Sequence, residues 1–139
     1  MIRLLAAFIA SMACVGASAA PLRADHPLVG TWQFTLPNGC AERMTVLQNG
    51  HVLSVSGAES GESEAEIADQ PDARGLYKWR DKILSNNGKP DCGDAHTPVG
   101  DVSVVYIRLE ASGDRFKVCL GDAKSDPCLG PYIRQRPPR

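Results

Sequence analysis

Aromatic residues are scarce in this chain: three Phe, two Trp and three Tyr, 6% of 139 residues. Any ring-lined wall must draw on that small set. Charge of one sign is missing too. Fifteen Lys and Arg stand against sixteen Asp and Glu, a formal net charge of −1. This removes a general electrostatic drive toward nucleic acid or an anionic membrane. Beyond residue 20 no apolar run is long enough to span a bilayer. No amphipathic pattern of helical period is sustained either, so long helices are not expected. Turn formers are plentiful instead. Thirteen Gly and ten Pro favour many short elements in one domain.

Catalytic signatures are also missing. A serine triad needs a nucleophile, a base and an orienting acid, yet no Ser sits in Gly-x-Ser-x-Gly. His26 falls in a lead-in segment, His51 beside a tight turn and His96 in a loop, where all three are expected to face solvent. A glycosidase needs two facing carboxylates, and sixteen acids produce such a pair by coincidence. Asp122-x-Lys124-x-Asp126 is not a calcium loop, because Pro127 replaces the required Gly and no Glu closes it. No Gly-rich strand–helix turn offers a phosphate site. Cys92 and His96 are four apart, but no second ligand pair lies near them, so zinc is not expected. The expectation is a non-catalytic protein without cofactor or metal.

The N-terminus carries the clearest signal. Met1-Ile2-Arg3 is a short basic start, residues 4–16 are almost wholly apolar, and Ala17-Ser18-Ala19 has the small residues of a cleavage site. Residues 1–19 are read as a secretory signal peptide, with Ala20 the new N-terminus. Cys14 lacks the aliphatic residue three positions before it that lipid attachment requires. A periplasmic or secreted location follows. Four Cys remain, Cys40, Cys92, Cys119 and Cys128, and an even count in an exported chain points to two disulfides with three possible pairings.

Residues 20–134 then read as one all-β domain. Val29 to Leu36 alternates with Trp32, Phe34 and Leu36 on one face. Glu42 to Gln48 places Met44 and Val46 together. Asn49-Gly50 is a hairpin signal of the type I′ kind, and Val52 to Gly57 returns with Leu53 and Val55 expected inward. Residues 58–73, rich in acids, fit either a short helix, with Ser63 and Glu66 as a capping box, or an exposed edge strand whose charges oppose edge pairing, and the strand is the reading adopted. Leu76 to Ser85 sets Tyr77 and Trp79 against Lys78, Arg80 and Lys82. A long irregular loop follows Asn87-Gly88. Val102 to Glu110 directs Val105, Ile107 and Leu109 inward. Arg115 to Leu120 does the same with Phe116, Val118 and Leu120, and Cys128 to Arg134 is the last strand. Residues 135–139 are expected to be a disordered tail. About eight antiparallel strands joined by short loops predict an up-and-down barrel or a sandwich. If the last two strands are hairpin neighbours, Cys119 and Cys128 come within disulfide reach. Cys40 then pairs with Cys92 and tethers the long loop.

Gly30-Thr31-Trp32 on the first strand resembles the calycin group: lipocalins, avidin-like proteins and periplasmic metalloprotease inhibitors. The resemblance implies that Trp32 closes one end of a barrel and that a basic side chain of the last strand, here Arg134, lies across its ring. The Thr-Asp-Tyr segment and C-terminal helix of typical lipocalins are absent, as is the Ser-Gly-x-x-Tyr segment of C-type lysozyme inhibitors. The chain as a whole resembles small exported proteins of Gram-negative bacteria. Two roles fit a monomer of this kind. One is a lipocalin-like small-ligand binder, with Tyr77, Trp79, Tyr106 and Phe116 as the available wall. The other is an inhibitor or interaction module for a cell-envelope protein, presenting the loop around Lys89, Pro90 and Asp91 or the lead-in from Pro21 to Pro27.

Overall fold

The structure, a computed structural model, describes residues 19–137. Most of the expected signal peptide, residues 1–18, and the last two tail residues lie outside the described residues. The eight strands are β1 (Gly30–Thr35), β2 (Ala41–Val46), β3 (His51–Ser56), β4 (Glu59–Ile67), β5 (Leu76–Asn86), β6 (Val102–Leu109), β7 (Arg115–Cys119) and β8 (Cys128–Gln135). Each pairs antiparallel with the next, and β8 returns to β1 through Thr31–Gln135, Trp32–Arg134 and Gln33–Ile133. The result is a closed up-and-down barrel rather than a sandwich. Among the described residues no helix is long and apolar enough to cross a membrane.

Closure corrects the reading of residues 58–73. A closed barrel has no edge, and β4 is paired on both sides, with β3 and with β5. Its acids alternate outward instead: Glu66 meets Arg80 at 3.2 Å and Glu62 meets His51. Glu59, expected in the solvated run, is buried, and its carboxylate accepts hydrogen bonds from the Thr97 amide and hydroxyl.

The β2–β3 hairpin also differs from expectation. A two-residue Asn49-Gly50 loop would pair Val46 with Leu53. The Leu47 amide instead bonds the His51 carbonyl at 2.9 Å, leaving a three-residue loop of Gln48, Asn49 and Gly50, with Gly50 alone at positive φ (86°). Such loops are the next most common hairpin type. Val46 therefore faces Val52, and Met44 faces Ser54. A one-residue change of register turns every side chain over. Leu53 and Val55 point outward, 45% and 48% exposed, and Val52 is buried.

The barrel has two unlike halves. At the closed end the lead-in packs beneath the strands. Leu22, His26 and Leu28 are buried with Trp32, Ile107 and Phe116. The Trp32 indole N–H donates to the Leu28 carbonyl at 2.9 Å. Phe116 meets Trp32 edge-on at 4.6 Å and stacks on Tyr132 at 5.1 Å. His26 is thus not a solvent-facing residue. Its Nδ1 accepts from the Leu28 amide, its Nε2 lies 3.1 Å from the Ala68 carbonyl, and its ring packs edge-on against Tyr77. Leu120, expected inward, is 60% exposed because β7 ends at Cys119. At the same closed end β8 runs on through Gln135, and Arg136 bonds Asp114. These two residues of the expected tail are ordered onto the barrel.

The disulfides are Cys40–Cys92 and Cys119–Cys128. They imply an oxidising, non-cytoplasmic environment. Cys119 and Cys128 are cross-strand partners. Cys92 fastens the loop of residues 87–101 to the open rim, where its amide also donates to Ser56 Oγ at 3.1 Å.

Candidate functional site: the open half of the barrel

Above the packed closed end, the interior is not filled. A cavity of about 190 Å³ opens between β2, β3, β4, β5, β6, β7 and β8. Strand alternation decides what lines it. On β5 the inward positions are Tyr77, Trp79, Asp81 and Ile83, and the outward ones are Lys78, Arg80 and Lys82. Residue Leu84 is the extra residue of a bulge, since Glu62 pairs with Ser85 and Ser63 with Ile83. The inward phase thus carries an acid, Asp81, on a strand whose basic side chains all face out.

Asp81 is only half-buried but has no basic partner among the described residues. Its Oδ1 accepts hydrogen bonds from Ser63 Oγ at 2.8 Å and from the Trp79 indole N–H at 3.2 Å. Burial pushes its carboxyl above the ordinary range, and those two donors oppose the rise. A second polar group lies toward the rim. Tyr132 donates to Glu42 at 2.6 Å, and Ser56 donates to the same carboxylate at 3.2 Å. Burial, and then the Glu42 carboxylate, hold the Tyr132 hydroxyl protonated well above the usual phenol range. Ser54 and Ser103 add hydroxyls to the wall, while Val52, Val105 and Ile107 keep part of it apolar.

The sequence-derived site residues separate into three places. Of the four expected wall aromatics, Trp79 lines the cavity. Phe116 is sealed in the packed floor, and Tyr77 lies at the closed end against His26. Tyr106 sits on the opposite face of β6 from Val105 and Ile107, beside Lys78 and Cys119, and is not a cavity residue. Tyr132 supplies the second ring instead. Trp32 and Arg134 meet as the resemblance implied, with the guanidinium 4.1 Å from the ring centroid. Arg134 also donates to the carbonyls of Pro27 and Val29 in the lead-in and of Gly113, so with the Trp32 ring beneath it the side chain ties lead-in, β1 and the β6–β7 turn together.

At the rim, Lys89 and Pro90 are exposed. Asp91 is turned back into its own loop, where Oδ1 accepts from the Gly93 and Ala95 amides. The lead-in from Pro21 to Pro27 does not project: the Leu22 amide bonds the Gln48 carbonyl at 2.7 Å. Among the described residues no three His, Cys, Asp or Glu converge on a metal-sized point.

Asp81, Ser63, Ser54 and Tyr132 were not singled out from sequence. Asp81 was the most legible of them. It occupies the inward phase set by Tyr77 and Trp79, where the alternation calls for an apolar residue. No protein-family model matches the chain, and no curated protein or solved structure is significantly similar to it.

Proposed function

We propose that this is an exported, non-catalytic binding protein that holds a small ligand in the open half of its barrel. The observation that carries the reading is the inward lining of β3 and β5. The hairpin register puts Ser54 and Ser56 inside and leaves Leu53 and Val55 in water. A core built for stability alone would take the opposite register and bury the two apolar side chains. Violations of local preference of this kind cluster at functional sites. Eight strands suffice to enclose one small ligand, and the wall combines apolar side chains with a few placed polar groups. The disulfides fit a periplasmic or secreted location, and the closed barrel with Trp32 under Arg134 fits a calycin-like protein.

Native mass spectrometry of the protein purified from its source tests this. A co-purifying small molecule, lost on denaturation, is the expected result. A uniformly empty protein that also fails to bind any member of a small-molecule library would refute it.

The second reading, a cell-envelope hydrolase inhibitor or interaction module, draws on the rim. The disulfide-held loop displays Lys89 and Pro90 in a fixed shape, which lowers the entropy cost of docking. The docked lead-in removes the other candidate segment.

A further inference from the structure

We infer that the cavity selects a compact amine, with an apolar body the size of one ring, whose ammonium sits on Asp81 Oδ2. The inference rests on the small-ligand reading and adds the ligand's charge and size.

The two oxygens of Asp81 are treated differently by the protein. Both donors, Ser63 Oγ and Trp79 Nε1, fall on Oδ1. Oδ2 accepts no hydrogen bond from the described residues, and it is not a sealed-off atom lacking a partner. It is therefore reachable from the cavity that Asp81 lines. The two donors also fix the carboxylate's orientation, so Oδ2 is aimed rather than free to turn.

No cation among the described residues answers it. Lys82 and Arg80, its neighbours in sequence, are on the outward phase of β5, and Arg80 is engaged by Glu66. The carboxylates of Glu42 and Glu59 in this half are already served, the first by Tyr132 and Ser56 and the second by Thr97. A single unserved carboxylate oxygen matches one ammonium group. It does not match a metal ion, for which no third ligand converges. A neutral ligand would leave Oδ2 unpaired as it displaced water, and an anion would meet Asp81 directly. An amine gains a charge-assisted hydrogen bond there. The Ser54 and Ser103 hydroxyls offer further acceptors.

Size follows from the volume. A dry protein cavity of about 150 Å³ accommodates benzene. The 190 Å³ here admits one ring with a short arm, or an aliphatic amine of similar bulk. The Trp79 and Tyr132 rings and the Val52, Val105 and Ile107 side chains supply its apolar surroundings.

Isothermal titration of the full disulfide-bonded protein with three matched probes tests the inference: 2-phenylethylamine, 2-phenylethanol and 3-phenylpropanoate. The amine should bind about tenfold or more tightly than the alcohol, in keeping with one charge-assisted hydrogen bond, and the carboxylate should not bind measurably. Asp81→Asn should abolish the preference for the amine while leaving the alcohol's affinity unchanged. Ser63→Ala should weaken the amine selectively. If Asp81→Asn does not fold, the probe series on the parent protein and the Ser63→Ala variant still decide. Equal binding of alcohol and amine, or binding of the carboxylate, overturns the inference and leaves the small-ligand reading standing. A co-purifying ligand without an amine does the same. Absence of both probe binding and any co-purifying ligand sinks both.

Discussion

Val46 stands opposite Val52 across the β2–β3 hairpin, not opposite Leu53. The one-residue difference is made in the turn, where Gly50 takes φ 86° and ends a three-residue loop. A side chain there would be strained, and its Cβ would also lie 3.3 Å from the Ala65 carbonyl oxygen. Gly39 has nearly the same φ, 84°, with nothing within 4 Å. Gly50→Ala should therefore destabilise the protein by about 1–2 kcal/mol from the left-handed conformation, and by more than Gly39→Ala. Urea unfolding of the two variants checks the order. Equal losses would show that the contact with Ala65 is immaterial.

Arg134 is expected to behave as a structural clamp. It lies over Trp32 of β1 and donates to carbonyls of two further segments, the lead-in and the β6–β7 turn. Lys has a compact ammonium and cannot reproduce the planar fork over the ring. Arg134→Lys should cost about 1–3 kcal/mol, and Trp32→Ala, which empties a fully buried site, about 3–5 kcal/mol. Thermal denaturation measures both. A loss near zero in either would remove the clamp, and with it the support for a calycin-like closure.

The positions of seven strands were legible because period-two runs alternate with Gly, Pro and Asn turns, and those signals are local; β4 was not, because its Ser63–Glu66 spacing also fits a helix start. Trp32 and Arg134 were legible through a resemblance that needs only one residue from each end of the chain. The site was not, and the reason lies in residues 48–55. Asn49-Gly50 fits two hairpin loops, and choosing between them by burying Leu53 and Val55 assumes that the interior is a core. Here Ser54 and Ser56 take the inside. Tyr106 was misplaced for a related reason. Without a register, its ring could be assigned to either face of β6. His26 was misjudged because a lead-in segment has no period to reveal that it docks under the barrel.

The two disulfides should contribute unequally. Cys40–Cys92 spans 52 positions and Cys119–Cys128 spans 9. The chain-entropy relation gives about 4 kcal/mol for the first and about 2.7 kcal/mol for the second. Cys40→Ala with Cys92→Ala should lower stability more than Cys119→Ala with Cys128→Ala. It should also release the loop of residues 87–101, seen as faster amide exchange at position 92 and at Thr97, whose amides are bonded to Ser56 and Glu59. The reverse order of stabilities, or unchanged exchange, would show that the rim contacts hold the loop without the covalent bond.

Asp81 makes the clearest pH prediction. Burial raises its carboxyl pKa above the value it has in the unfolded chain, with Ser63 and Trp79 only partly offsetting this. The folded state therefore binds this proton more tightly than the unfolded state does. Its contribution to stability is full below the unfolded pKa and is lost as pH rises through the higher, folded value. Asp69 and Asp72 act in the opposite sense. The Arg23 guanidinium lowers the first and the Leu76 amide the second, so their stabilisation is lost as pH falls. A pH profile of the parent protein alone mixes these signs, whereas the difference between parent and Asp81→Asn isolates Asp81. Asn can still accept the bonds of Ser63 and Trp79 and carries no charge. The variant should unfold at a higher temperature than the parent at neutral pH, with the gap closing as pH falls through the carboxylate range, about pH 4. Paired thermal unfolding curves across that range provide the test. A variant less stable than the parent at neutral pH, or a gap that does not change with pH, would mean that Asp81 is an ordinary structural acid. The expected result would instead show a charge that the fold keeps at the expense of stability, and a binding cavity supplies a reason to keep it.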